Sequence, residues 1–199
     1  MLRIERCTAL TSAFSTGWCR RTRSTTCCCT GRSVADLANI RIRRAMAEDL
    51  PGIMALFDEL DAYQADWRVF VLRTRHRDDM AESYRQALTD PHSLHLVAES
   101  NAELVAMSVG NITRPSSFSD ELALEVGSAV VREGHRGRGI TTAMVRELAA
   151  FGLSQGAVRM SVRVFTGNEG AVGFWRSLGF EDRFVHLTAP LDTLLGPSA

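Results

Sequence analysis

Leu122-Ala123-Leu124-Glu125-Val126-Gly127-Ser128-Ala129-Val130-Val131 runs into Arg132-Glu133-Gly134-His135-Arg136-Gly137-Arg138-Gly139-Ile140-Thr141-Thr142, and the fold turns on how this stretch is read. The first half alternates with period 2 and predicts a strand over 122–131. Leu122, Leu124, Val126, Ser128 and Val130 would share one face, and Glu121, Glu125, Gly127 and Val131 the other. Further on, Ile140, Met144, Leu148 and Phe151 form a helical stripe that stops near Gly152 or Gly156. Between them Gly137 and Gly139 let the backbone bend and approach a ligand closely. A helix that opens there presents unpaired N–H groups and the positive end of its dipole. Such a turn suits a pyrophosphate, and Arg136 and Arg138 add charge and bidentate donors. The competing reading is a plain strand–helix connection with solvated arginines, which rarely needs two glycines beside two arginines.

Upstream, Ile40-Arg41-Ile42-Arg43 alternates as a strand. Asp49 and Pro51 mark a helix start, and Leu50, Ile53, Phe57 and Leu60 give that helix an apolar face to about Ala62. A second helix is expected over Asp78–Leu88, ending before Asp90-Pro91. Strands Leu94–Glu99 and Leu104–Ile112 flank a Ser100-Asn101-Ala102 turn, and Ser116–Asp120 reads as loop. Downstream come a strand over Val158–Val164, a short helix over Asn168–Leu178, and a last strand over Phe184–Leu187. The order β-α-α-β-β-β-α-β-α-β describes an α/β fold with a mixed sheet.

Three phosphate-binding loops compete at Gly137–Gly139. A P-loop needs Gly-Lys-Ser/Thr, and the chain has no Lys. A dinucleotide fingerprint needs a third glycine early in a βαβ unit; Thr142 stands there, and three strands precede it. The third is a coenzyme A loop. Here the chain resembles the GNAT N-acetyltransferase superfamily, whose phosphate loop reads Gln/Arg-x-x-Gly-x-Gly/Ala. Arg136, Gly139 and Thr141 fit it, with Thr in the final small position. The family's Asn-x-x-Ala helix ending in an aromatic and Leu-Gly-Phe is matched by Asn168, Ala171, Phe174, Trp175, Leu178, Gly179 and Phe180. The two motifs lie 32 residues apart, room for one helix and one strand.

The resemblance covers about residues 40–188. It implies a mostly antiparallel mixed sheet with helices on both faces, and acetyl-CoA as acyl donor. It assigns Val130, Val131, Arg136, Gly137, Arg138, Gly139, Ile140, Thr141, Thr142, Asn168, Phe174 and Trp175 to the cofactor. It places an oxyanion-holding N–H at Ala129 or Val131. Many relatives carry Tyr as general acid where this chain has Trp175, and an indole N–H is no practical acid. Trp175 is therefore expected against the cofactor arm or in the core. Proton delivery would pass to water, to another residue such as Ser128 or Ser161, or be unnecessary. Asn168 would cap its helix, hydrogen-bond the pantetheine, or do both.

Transfer to an amine needs that amine neutral, and an alkylamine of pKa about 10.4 is mostly protonated at neutral pH. Glu125, eleven residues before Arg136, matches a strand glutamate proposed as base in the histone-acetylating branch; Glu121 is the reserve. The alternative is a surface carboxylate. Asp58, Glu59, Asp61 and Asp66 would steer a cationic acceptor or simply solvate a helix face. The acceptor is expected to be a small-molecule amine or a protein amine. The function alternative is a non-catalytic CoA-binding regulatory or interaction module on the same fold; a nucleotide-binding regulator is a third.

Composition narrows the rest. Apolar residues at 45% and charged residues at 23% are ordinary for a globular chain, and no run of 18 apolar residues occurs, so no membrane span is expected. Residues 1–33 hold six Arg and one acid, Glu5; the remainder holds 17 Arg and 22 acids, a net of −5 that gives no reason to seek nucleic acid. Cys7, Cys19, Cys27, Cys28 and Cys29 all precede the patterned region, which rules out a Cys nucleophile or Cys-ligated metal within it. The histidines His76, His92, His95, His135 and His186 lack metal spacing, and no metal is expected; His135 reads as a solvated turn residue. The expected organisation is a disordered or mis-assigned extension over 1–36, one domain over 37–190 and a tail over 191–199. A cytoplasmic location is expected, and a homodimer stays open.

Overall fold

Alternation became strand and three-to-four spacing became helix almost wherever the sequence shows them. The computed structural model describes residues 37, 39–67, 77–114, 120–189 and 194, with backbone alone for Arg77 and Asp78. The expected extension over 1–36 and the tail, Leu194 apart, lie outside the described residues, as does most of the loop expected at Ser116–Asp120. The elements are β1 (Arg41–Arg44), α1 (Leu50–Gln64), α2 (Arg77–Ala87), β2 (Ser93–Ser100), β3 (Glu103–Thr113), β4 (Ala123–Val131), α3 (Ile140–Ser154), β5 (Arg159–Val162) and α4 (Glu169–Ser177). Single 3-10 turns precede α1, follow it at Ala65–Trp67, and occupy Glu133–His135.

The strands lie in chain order β1-β2-β3-β4-β5. The first four pair antiparallel, and β5 joins β4 in parallel, which α3 makes possible by crossing over between them. Both faces are covered. Leu94, Leu96, Leu124, Val126, Ile140, Met144, Leu148 and Trp175 form one core on the α3 side. Leu50, Ile53, Met54, Leu56, Tyr84, Val97, Met107, Val109 and Val130 form the other, under α1 and α2.

The even-numbered face expected for β4 does not continue along the strand. Gly110 of β3 pairs with Val126 while its neighbour Val109 pairs with Ser128, so Gly127 is an extra residue on β4, a bulge. The bulge exchanges the two faces. Leu124 and Val126 look toward α3, but beyond it Ala129 and Val131 do so, and Val130 packs under α1. Glu125 therefore shares its face with Ser128 and Val130. The Ser108 hydroxyl, fully buried, donates to the Ser128 carbonyl at 3.1 Å and ties down the bulge.

The last strand expected over Phe184–Leu187 is absent. Residues 181–189 take no regular structure, and Phe184 is 98% exposed. Alternation alone does not make a strand: a partner ladder is needed, and this segment has none among the described residues.

The start of α1 is held by charge. Arg43 forks onto Asp49 at 2.6 and 2.8 Å and also reaches Glu99 at 3.2 Å. Asp49 accepts in addition from the Met46 amide at 2.8 Å. The hydrogen bond from Arg43 holds the Asp49 carboxyl below the usual range against the opposing effect of burial. This cluster joins β1, β2 and the first turn of α1.

Candidate active site

The loop after β4 makes the bend that its glycines allow. Gly137 and Gly139 sit at φ +76° and +83°, the left-handed region that favours glycine. A Cβ built on Gly139 would meet no protein atom within 4 Å, so the space in front of it is open. Gly139 is the N-cap of α3, and its carbonyl accepts from the Ala143 amide at 3.0 Å. The amides of Ile140, Thr141 and Thr142 come before that first helical bond, and the glycine cap has no side chain to satisfy them. They open onto a pocket lined by Val131, His135, Arg136, Gly137, Gly139, Ile140, Thr141, Thr142 and Phe174. Exposed N–H groups, a helix dipole and arginine in one concavity fit the diphosphate of a coenzyme A.

Eight of the twelve residues assigned to the cofactor line this pocket; four do not. Trp175 takes the core place that the sequence reading had allowed: it is 6% exposed, lies in the α3-side core, and packs edge-on against Phe174 and Phe180. The expectation left room for the core, and the bulk of the indole fills it. The Val130 side chain points into the opposite core because of the bulge. Arg138 donates to the Gly134 carbonyl at 3.0 Å, closing the loop on itself. Asn168 caps α4, its Oδ1 accepting from the Ala171 amide at 3.1 Å.

Arg136 is held on two sides. Its Nε donates to the Val131 carbonyl at 3.0 Å, and its guanidinium carbon lies 4.9 Å from the centre of the Tyr63 ring. Next to it Arg132 ties β4 to α1 and β3 through Glu59 at 2.8 Å and through Glu103. Glu59 of the acidic run is thus engaged, and Asp58 and Asp61 also have partners.

β4 and β5 part company beside this loop. Their ladder runs from Ala123↔Arg159 to Val126↔Val162 and stops, although β4 continues to Val131. Past the bulge, β4 faces a gap where β5 would be, and Ala129 lies half-buried along it. Glu125, with its side chain 33% exposed, sits just before the gap and takes an ion pair from Arg163 at 3.0 Å. Glu121 lies outside β4, exposed, and pairs with Arg159. Ser128 is half-buried on the Glu125 face, and Ser161 is the β5 neighbour of Glu125 in register.

Sequence reasoning missed a polar row beneath α1 and α2. Ser93, Asn111 and Glu125 are successive register partners across β2, β3 and β4. The Ser93 hydroxyl donates to Asn111 Oδ1 at 2.7 Å, which leaves its oxygen to accept from His95 Nε2 at 2.8 Å. The hydrogen of that pair is then on His95 Nε2. Burial first, then the Arg44 charge, push its pKa down to about 4, with Asp90 opposing. Its Nδ1 and the Tyr84 hydroxyl are buried without hydrogen-bond partners among the described residues, and the two rings meet edge-on at 4.6 Å. Burial raises the Tyr84 pKa. The signal was present as polar residues interrupting Leu94, Leu96 and Val97, but only the register shows which of them meet. His135, read as a solvated turn, lines the loop pocket, and its Nδ1 is likewise buried without a partner.

Among the described residues no group of three His, Cys, Asp or Glu side chains could hold a metal ion, and no helix is long and apolar enough to cross a membrane.

Known proteins resemble this chain in sequence or in fold. N-acetyltransferase 8B of Rattus norvegicus is 30% identical over 130 residues, which cover 65% of this chain and 58% of that protein. The chain thus spans little more than half the length of that curated relative. Among solved structures, the BH1408 protein of Bacillus halodurans matches with a TM-score of 0.68 at 19% identity, over 75% of this chain and 98% of that one. A predicted acetyltransferase of Clostridium acetobutylicum, solved with acetyl-CoA, matches with a TM-score of 0.63 at 14% identity, over 76% of this chain and 96% of that one. At such identities these two likenesses speak to the fold alone. The sequence pattern of the acetyltransferase (GNAT) family matches residues 58–180. With the five-stranded mixed sheet, the bulged β4 and the glycine loop at the mouth of α3, that match makes this chain a member of the GNAT acetyltransferase family.

Proposed function

We propose that this chain is an acetyl-CoA-dependent N-acetyltransferase that moves an acetyl group to a primary amine by direct attack within a ternary complex. The observation that carries the reading is the open pocket at the mouth of α3, where uncapped amides, Arg136 and two left-handed glycines meet. Acetyl-CoA supplies the activated thioester when bound. Ile140, Thr141 and Thr142 amides with Arg136 hold its diphosphate, and the gap beyond Val126 takes the arm that follows. Glu125, on the α1 side of the same gap, takes a proton from the acceptor ammonium, directly or through water. The freed amine forms the C–N bond as the C–S bond breaks, the nitrogen gives up its second proton to water, and the leaving thiolate, of pKa about 8.5 if it behaves like a cysteine, takes a proton from water. The Ala129 or Val131 amide donates to the carbonyl oxygen as charge develops there. Trp175, buried in the core, takes no part in proton transfer.

Release of free thiol from acetyl-CoA in the presence of a panel of primary amines tests this. Amine-dependent release is expected. CoA binding with no transfer to any amine would favour the second reading, a non-catalytic CoA-binding module, which the pairing of Glu125 with Arg163 and the burial of Trp175 motivate.

A further inference from the structure

Glu59, Tyr63 and Trp67 recur every fourth residue and lie along one stripe at the end of α1 and the turn beyond it. Glu59 engages Arg132, and Tyr63 carries the Arg136 guanidinium, both on the loop after β4. Trp67 leads to the opposite rim. Its ring centre lies 5.2 Å from Tyr63 and 5.2 Å from Phe165, three residues past the end of β5. The rings thus form a continuous row on the α1 side, from the loop after β4 to the segment after β5. That is the side of Glu125, whose partner Arg163 is two residues before Phe165.

These rings belong to neither core among the described residues. Tyr63 is 49% exposed, and Trp67 and Phe165 are half-buried. A Cβ on Gly167 would come within 2.5 Å of the Phe165 ring, so the missing side chain at Gly167 is what lets the ring lie there. An aromatic row that contributes to neither core among the described residues, meets Arg136 at one end and lies on the side of the sheet that Glu125 faces is a surface shaped for something to lie against.

We infer that Tyr63, Trp67 and Phe165 form the acceptor-side wall, and that the acceptor is a primary amine carrying a flat or apolar substituent. This rests on the acetyltransfer reading above. An amine whose nitrogen approaches Glu125 from the α1 side can lay its substituent along this row, where ring-on-ring burial is favourable. A polycationic acceptor finds less here. One face of Tyr63 is taken by Arg136, Glu59 is neutralised by Arg132, and Arg163 stands beside Glu125.

The test compares acetylation of phenethylamine and putrescine by the full chain, with calorimetry of acetyl-CoA alongside. Phenethylamine is expected to show at least a tenfold higher kcat/KM. Trp67→Ala and the milder Phe165→Leu should each shrink that ratio severalfold, mainly through KM, with acetyl-CoA affinity unchanged; Trp67→Phe should restore it. A preference for putrescine, or a ratio that neither variant moves, overturns the inference. Acetyl-CoA binding without transfer to either amine also overturns it while leaving the cofactor site standing, whereas failure of acetyl-CoA to bind removes both readings.

Discussion

At the scale of single residues, Glu125 and Gly139 do different work. Glu125 sits on the α1 side of the gap, half-buried, with one oxygen on Arg163. If it deprotonates the acceptor, Glu125→Gln should slow turnover by about a hundredfold, the low end to middle of what a positioned base supplies. The defect should be greatest at low pH, where the amine is most fully protonated, and should fade as pH approaches the amine's own pKa. A pH profile of kcat/KM for both proteins checks this; parallel profiles would remove Glu125 from the chemistry. Gly139 acts through its backbone. Its φ of +83° costs a side-chain-bearing residue about 1–2 kcal/mol, and the open space before it is where a phosphate would lie. The glycine was legible in the sequence because left-handed turns demand that residue type. The role of Trp175 was not, since an indole suits a core and a cofactor wall equally well.

At the scale of elements, the helices and the first five strands were readable because each carries its own period. The bulge in β4 was not. A strand of alternating residues looks the same with or without one extra residue, and only the pairing with Val109 and Gly110 shows that Gly127 is surplus. That single insertion decides that Glu125 and Ser128 share a face. Phe184–Leu187 failed in the opposite sense: the local pattern is present and no neighbour pairs with it. The link between β1 and α1 was also hidden, because Asp49 looks like an ordinary helix-start residue. Its fork with Arg43, and the Met46 amide it accepts from, predict that Asp49→Ala destabilises the chain by about 2 kcal/mol, the value of a charge-assisted pair that is mostly out of water. Urea unfolding at pH 7 measures it; a midpoint equal to that of the unaltered chain would show the cluster to be ornamental.

At the scale of the whole molecule, two cores grip one sheet, and the polar row of Ser93, Asn111 and His95 runs within the α1-side layer. His95 is buried as a neutral group with its pKa lowered to about 4 from an ordinary 6.5. The unfolded chain therefore binds the proton more readily. Stability from this group is full above pH about 6.5 and is lost as pH falls toward 4. At pH 5 the loss is of order 2 kcal/mol. Urea midpoints at pH 7 and pH 5 should differ, and His95→Gln, which keeps a donor for Ser93 but cannot ionise, should narrow that difference. An undiminished difference would place the pH dependence elsewhere.

Acetyl transfer here depends on main-chain amides at the mouth of α3 gripping a diphosphate. Calorimetry of CoA and of pantetheine, which lacks the diphosphate and the nucleoside, against the full chain and against Gly139→Leu tests it most directly. CoA is expected to bind the unaltered chain, pantetheine at equal concentration is not, and Gly139→Leu should lose CoA affinity by at least tenfold. Equal binding of the two ligands, or CoA affinity that survives Gly139→Leu, would contradict it.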